Sequence, residues 1–413
     1  MMDTVCQIDG VRRAGVGKST VKTGWHASCS PAPQPGRSSD DHAPPRAGLQ
    51  PDARADTMKA LVFDGPGRLA LRTRPKPVLA EPTDAIVRLT TTTLCGTDLH
   101  ILRGDVPAVA RGRVLGHEGV GIVTEVGPAV TRFLAGDRVL VSLITACGRC
   151  GACRKGLTSH CERGGWLLGN QLDGTQAEFV RIPLADNGLH LVPDAVDDEA
   201  AVMLSCILPT GLECGAQNGR VAPGDVVAIV GVGPVGLAAL LAALLYSPGE
   251  LIAIDLDDHR LETARGLGAT AVINSGDGKA AERVMELTHG AGVDVVIEAV
   301  GLGTTFDLCQ GIVAPGGRIA SMGVFARPVE LHLERLWGAN ITLTTGLVDG
   351  RTTSRLVRLV ASGRLDPRRL VTHRFPLSQI VAAYDTFANA AQNRAVKVVI
   401  QVDNPGARPD RAG

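Results

Sequence analysis

The stretch from Val226 to Leu245 limits what this chain can fold into more than any other. It is twenty residues long and carries no charge. Hydropathy alone would make such a run a membrane span. Its interior argues otherwise. Gly231-Val232-Gly233-Pro234-Val235-Gly236 sits between a β-branched run, Val226 to Val230, and an Ala/Leu-rich segment. In a strand–turn–helix unit the first glycine permits the tight turn. The second lets a pyrophosphate approach the backbone, and the third allows close helix–strand packing. The helix N-terminus then faces the phosphates. Leu251 to Asp255 is a second apolar run, ending in an acid 24 residues after Gly231. That is about the spacing at which a carboxylate meets the adenine ribose. Asp257 and Asp258 follow, and Arg260 is the next base. A 2′-phosphate would meet acids first, so NAD is expected rather than NADP.

The alternation continues beyond this unit. Helical segments are expected over Leu261 to Leu267 and Ala280 to Leu287. Strands are expected at Ala271 to Ile273, Asp294 to Ile297, Arg318 to Ala320 and Ile341 to Thr345, with a turn at Pro315-Gly316-Gly317. Such βαβ repetition makes a parallel sheet. Before it, from Met58 to about Leu204, short apolar runs alternate with Gly and Pro. Ala85 to Leu89, Gly121 to Val126 and Asp137 to Val141 read as strands of a β-rich domain. After Gly346 helix and strand of another character return and end at Lys397 to Ile400.

The β-rich part carries two sets of metal-ligating residue types. Cys95-Gly96-Thr97-Asp98-Leu99-His100 is followed by Gly116-His117-Glu118-Gly119. Thiolate and neutral imidazole are ligands that Zn²⁺ prefers, and a catalytic zinc keeps one position open. Asp98 and Glu118 stand where they could orient or supplement those ligands. Cys147, Cys150, Cys153 and Cys161 form the second set, within 15 positions. Four thiolates close a tetrahedral site with no open position, as in a structural zinc. An iron–sulfur cluster is the rival reading; its bacterial pattern has a shorter last gap followed by proline. Here seven residues separate Cys153 from Cys161, and Glu162 follows.

Composition narrows the classes. At 413 residues the chain can hold two full domains, and its formal net charge is zero. No charge footprint points to nucleic acid or a membrane surface. Aromatics make up only 3%, too few for base-stacking platforms. The cysteines cluster at metal-ligand spacings in a large chain, which suits a reducing cytoplasm. Residues 1–57 differ from the rest. Ser28 to Arg54 is rich in Pro, Ser, Arg and Asp without apolar periodicity, and is expected to be a disordered extension or to lie before the true start at Met58. Gly15 to Thr20 resembles the end of a phosphate loop, but Arg12 stands where that motif needs glycine. Residues 402–413 are expected to be a frayed tail.

CGTDLH (95–100), GHEGVG (116–121), the four-cysteine lobe and GVGPVG together resemble the zinc-containing medium-chain alcohol dehydrogenases, over about Met58 to Ile400. Within that family Gly164 to Asn170 and Cys206 to Gly211 look closest to the bacterial branch related to formaldehyde dehydrogenase. The resemblance implies an α/β fold: a doubly wound Rossmann sheet, residues 208–346, inserted in a GroES-like catalytic domain of residues 58–207 and 347–401. It implies that Cys95, His117 and Cys206 hold catalytic zinc, with Glu118 auxiliary and Asp98 a partner to the ligand histidine. Aspartate is frequent at the Cys206 position in related branches, so the third ligand is a departure, and Glu118 is the alternative. Thr97 and His100 are implied as the proton path, and Thr210 as a cofactor contact. The implied activity is NAD-dependent oxidation of an alcohol, or its reverse, by a dimer or tetramer with two zinc ions per chain. A polyol or amino-alcohol dehydrogenase, or a zinc- and NAD-binding protein without turnover, are the alternatives.

Overall fold

A computed structural model describes residues 56–402. The expectations for the first 55 residues, and for the tail beyond Val402, lie outside the described residues. The first strand, Thr57–Phe63, begins one residue before the expected Met58. Val402 is buried and donates its N–H to the Thr90 carbonyl at 2.9 Å, so ordered chain reaches one residue further than expected.

Six strands form a parallel sheet in the spatial order Ala271–Asn274, Glu250–Asp255, Val226–Val230, Val293–Glu298, Val313–Ser321, Thr342–Thr345. Counted along this part of the chain that is 3-2-1-4-5-6, the Rossmann order, with the switch point beside Val226–Val230. Residues Gly236 to Ala243 of the helix Pro234–Leu244 are all buried. A helix covered on every side needs no polar face, which accounts for the charge-free run. No described helix is long and apolar enough to cross a membrane. Pro315-Gly316-Gly317, expected as a turn before a strand, lies instead inside Val313–Ser321. There Val293 pairs with Val313 but Val295 pairs with Arg318, and Gly316 takes φ +77° to form the bulge.

The remaining strands are mainly antiparallel. A seven-stranded sheet runs Val371–Pro376, Lys397–Gln401, Ala85–Thr93, Gly119–Val126, Arg138–Val141, Leu189–Leu191, with Phe179–Ile182 also on Ala85–Thr93. A three-stranded sheet joins Leu69–Pro75, Thr57–Phe63 and Arg113–Val114. Ala85–Thr93 is rich in β-branched residues and buried on both faces, as a central strand should be. Its register sets the site. Thr92 faces Gly119 on one side and Thr93 faces Val399 on the other. Antiparallel pairing therefore gathers Cys95, just past one strand end, with His117, Glu118 and Lys397 at the starts of its neighbours.

A buried carboxylate ties the chain's return from the Rossmann sheet. Glu213, in the π-helical turn Gly211–Gln217, accepts N–H bonds from Asp349, Gly350 and Thr352 at 2.9, 3.2 and 2.7 Å, and the Thr352 hydroxyl at 2.8 Å. Asp349 in turn accepts from the N–H and hydroxyl of Ser159, beside the four-cysteine lobe. Glu213→Gln would aim an amide NH₂ at groups that are themselves donors. It is expected to lower unfolding stability by about 1–3 kcal/mol, seen as a lower urea midpoint. An unchanged midpoint would mean that this carboxylate is not holding the return segment.

Candidate active site and metal centres

Cys95 is held by the helix that follows it. Asp98, in the first turn of Gly96–Arg103, accepts the Cys95 N–H at 2.9 Å, so the thiol is fixed at the helix mouth. Cys206 caps the short helix Ile207–Thr210. One ligand atom from each of Cys95, His117, Glu118 and Cys206 lies within 4.8 Å of the others, and all four residues are buried. His117 Nε2 and Glu118 Oε1 have no hydrogen-bond partner. Buried polar atoms without partners are rare, and two converging with two thiols make a donor set for a tetrahedral soft cation. The residues fit zinc.

The protonation of this cluster follows from its crowding. The hydrogen bond from Cys206 holds the Cys95 thiol well below its ordinary range, against the effect of burial. The same bond and burial push Cys206 well above it. Burial opposes charge on His117, but the Cys95 thiolate, Asp98 and Glu118 outweigh it and hold the imidazole up at about 9. A metal must displace the protons on Cys206 and His117. Zinc affinity here is thus expected to fall as pH drops below about 9, by up to about tenfold per unit for each proton displaced. Chelator competition at several pH values measures it, and a slope of one proton rather than two below about pH 9 would remove His117 from the ligand set.

Glu118 is not a free carboxylate. Its Oε2 accepts from Thr93 Oγ1 and from Lys397 Nζ, the latter at 2.5 Å. Lys397 also donates to the Leu94 carbonyl at 2.9 Å and is fully buried. With a divalent cation, two thiolates, one carboxylate and one ammonium the centre carries no net charge, which is how ions survive burial. Sequence reasoning missed Lys397. The signal was present: a lysine inside the apolar run Ala395 to Ile400 breaks the pattern of a buried strand.

Asp98 acts on His117 through its charge. No hydrogen bond joins it to His117. Besides the Cys95 N–H it accepts Gln176 Nε2 at 3.0 Å, and Tyr384 Oη donates to Gln176 Oε1 at 2.8 Å. This buried chain fixes the Cys95 loop by hydrogen bonds, while the Asp98 charge acts on the imidazole without one. Burial pushes the Asp98 carboxyl up to about 7. His117 is instead braced by the edge of Trp166, with ring centroids 6.2 Å apart.

The four lobe cysteines also converge. Their ligand atoms lie within 4.8 Å of one another, and the Cys147–Cys153 and Cys150–Cys161 sulfurs are 4.0 Å apart. A disulfide needs about 2.05 Å. Tetrahedral zinc at about 2.3 Å from each sulfur puts the sulfurs about 3.8 Å apart. Backbone N–H groups of Cys153 and Glu162 hold the Cys150 thiol down at about 6, favouring its thiolate. This set fits zinc too.

A cavity of about 260 Å³ joins the metal-ligand cluster to the dinucleotide turn. Cys95, Thr97, His100 and Lys397 line it with Gly233, Pro234 and Val235. Thr97 Oγ1 lies 3.7 Å from Cys95 Sγ. His100 is 38% exposed, and its Nδ1 lies 2.9 Å from Asp105 Oδ2, a partner that sequence reasoning did not find. Apolar walls come from Leu94, Leu99, Ile207, Val324 and Phe387. A second cavity, of about 370 Å³, is bounded by Gly231, Asp255, Ser275 and Thr305, and Arg260 borders both.

Gly231 takes φ +88°, and a Cβ on Gly236 would stand 1.9 Å from the Gly231 carbonyl oxygen. A Cβ on Gly233 would meet only Arg260 Nη1, at 3.7 Å. So the first and third glycines shape the turn, and the second leaves room for a ligand. Asp255 accepts N–H bonds from Val232, Leu256 and Asp257 at 2.8 to 3.0 Å, fixing its carboxylate at the second cavity. Asp257 and Asp258 are absent from that cavity. The first caps its helix, and the second accepts from Asn274. Thr210 lines neither cavity; its hydroxyl turns back to the Cys206 carbonyl at 2.8 Å.

Comparison with known proteins agrees with this architecture. Residues 81–194 match the alcohol dehydrogenase GroES-like domain, and residues 234–362 match the zinc-binding dehydrogenase model. An alcohol dehydrogenase of Cupriavidus necator is 40% identical over 369 residues, covering 83% of this chain and 98% of its own. The chain belongs to the zinc-containing medium-chain alcohol dehydrogenase family. A solved member, zinc dependent alcohol dehydrogenase 2 from Streptococcus pneumonia, is 51% identical with a TM-score of 0.81 and covers 85% of this chain and all of its own. Another relative, the NADP-dependent isopropanol dehydrogenase of Thermoanaerobacter brockii, is 36% identical, over 77% of this chain and 92% of its own.

Proposed function

We propose that this alcohol dehydrogenase family member oxidises an alcohol to an aldehyde or ketone, or runs the reverse, with NAD as hydride acceptor. The observation that carries this is the single cavity in which Cys95, Thr97 and His100 face the GVGPVG turn. Zinc held by Cys95, His117 and Cys206 would supply Lewis acidity toward a substrate oxygen. Nicotinamide supplies the redox chemistry. Thr97 Oγ1 orients the substrate hydroxyl and accepts its proton in a hydrogen bond. With the cofactor ribose as the carrier between them, His100, at the solvent edge with Asp105, would take that proton from Thr97 and return it to water. The leucines, Ile207 and Phe387 exclude water from the reacting carbon. No carboxylate lines this cavity, which favours an alcohol with an apolar body over an amino alcohol. The test is NADH absorbance with a panel of primary, secondary, aromatic and amino alcohols. Turnover of the amino alcohols alone, or of none, would refute the reading.

Cofactor choice rests on Asp255. Asp255→Gly removes a ribose acceptor and a charge that repels a 2′-phosphate. The ratio of kcat/KM for NADP to that for NAD is expected to rise by about tenfold or more, as for loss of a bond to a charged group. A constant ratio would show that Asp255 does not meet the ribose.

We also infer two zinc ions per chain, the second held by the four-cysteine lobe, and assembly as a dimer or tetramer in the cytoplasm. The eight described cysteines are all free thiols, which suits a reducing compartment. The strand Thr342–Thr345 is an open sheet edge beside exposed Trp337 and Leu333, a surface that a second copy would cover. Elemental analysis and light scattering test these statements; one zinc, iron, or a monomer would overturn the part concerned.

A further inference from the structure

A cavity of about 480 Å³ lies away from both cleft cavities and shares no lining residue with them. That volume is within the range of small-molecule sites. Its floor is Leu212, in the π-helical turn. One wall is Leu244 to Ser247, where the buried helix of the Rossmann layer ends. The other is Arg355 and Leu359, one turn apart on the helix Thr353–Ala361, with Arg364 just beyond it.

Some nearby arginines are paired. Arg351 meets Asp349, Arg368 meets Asp366 and Asp197, and Arg369 donates to the Gly266 carbonyl. Arg355 and Arg364, like Arg358, have no such side-chain partner among the described residues, but only these two of the three line the cavity, and no acid does. The opposite wall begins with Leu244 and Leu245, and Leu244 is left 38% exposed. Tyr246 and Ser247 also line that wall, and the Tyr246 hydroxyl accepts from Gln217 Nε2 at 3.4 Å.

We propose that this cavity binds a carboxylate carrying an aliphatic body, the carboxylate on Arg355 and Arg364 and the chain along Leu212, Leu244 and Leu359. Guanidinium matches carboxylate geometry in a two-point contact. A bare anion would leave the leucines uncovered, and a neutral apolar molecule would leave two guanidiniums unused. The site does not depend on the reaction proposed above. Its ligand touches both the Rossmann layer and the segment that returns to the antiparallel sheet.

The probe is octanoate, titrated calorimetrically into the full zinc-loaded chain with NADH saturating, so that the cofactor part of the cleft is filled and any octanoate in the substrate part is recognised by its indifference to Arg355 and Arg364. One octanoate per chain is expected. R355A/R364A should weaken it by about tenfold or more, the loss of a charge-assisted pair, and R355K/R364K should recover part. Leu359→Glu, which adds a repelling carboxylate to the wall, should weaken binding by a route independent of the arginines. Alcohol turnover without octanoate should be unchanged in R355A/R364A. Octanoate affinity that is insensitive to all three variants, or no binding at millimolar octanoate, would overturn the proposal. So would acetate binding as tightly as octanoate, which removes the apolar body. A smaller particle mass for R355A/R364A would also overturn it, because a second copy would then be what covers this face.

Discussion

Cys206→Ala is expected to lose one zinc ion and at least about 100-fold in activity, the upper range seen even for residues that only support metal ligands. Cys206 is buried and its sulfur is among the four converging ligand atoms. Removing it leaves Cys95, His117 and Glu118. Glu118 can offer only Oε1, because Oε2 is held by Thr93 and Lys397. Folding should survive, since the four-cysteine lobe is a separate set on its own loop. Cys206→Asp should behave differently. Carboxylate is a competent zinc ligand, so zinc and turnover should persist, with a harder and more positive centre. Zinc content and kcat of the two variants, measured together, decide the matter. Near-normal turnover with both zinc ions in the alanine variant would make Cys206 a core residue and promote Glu118 to third ligand.

Lys397→Met should cost about 3–5 kcal/mol of stability, the range for leaving one buried charge without its partner. Both members of the pair are at most 1% exposed. Burial alone would discharge the ammonium; the carboxylate of Glu118 and the Cys95 thiolate outweigh that and raise its pKa. Methionine fills the volume but leaves the Glu118 carboxylate buried and uncompensated. Adding Glu118→Gln to Lys397→Met should recover part of the loss, because two neutral groups of the same shape replace the pair. Chemical denaturation of the two single variants and the double variant gives the coupling directly. Additive losses would show that Lys397 and Glu118 do not act as a pair.

The sequence by itself determined whatever is local. A turn that needs glycines at fixed offsets, an apolar strand before it and a charge-free helix after it named the Rossmann unit. Each of those constraints acts over a few residues. The same holds for Cys147 to Cys161, where ligand spacing along one short loop is nearly ligand spacing in space. Tertiary structure decided the rest. Lys397 reaches Glu118 across 279 positions, because Ala85–Thr93 pairs antiparallel with neighbours on both sides and collects their ends. Asp98 turns toward Cys95 and Gln176, and Thr210 toward its own helix, because a nearer donor or acceptor captures a short side chain first. Asp257 and Asp258 are spent on a helix cap and on Asn274 for the same reason, so the case for NAD narrows to Asp255. Sequence periodicity reports which way a residue faces on its own element. Which buried charges meet depends on register between elements far apart in the chain, and that is set only when the sheets pair.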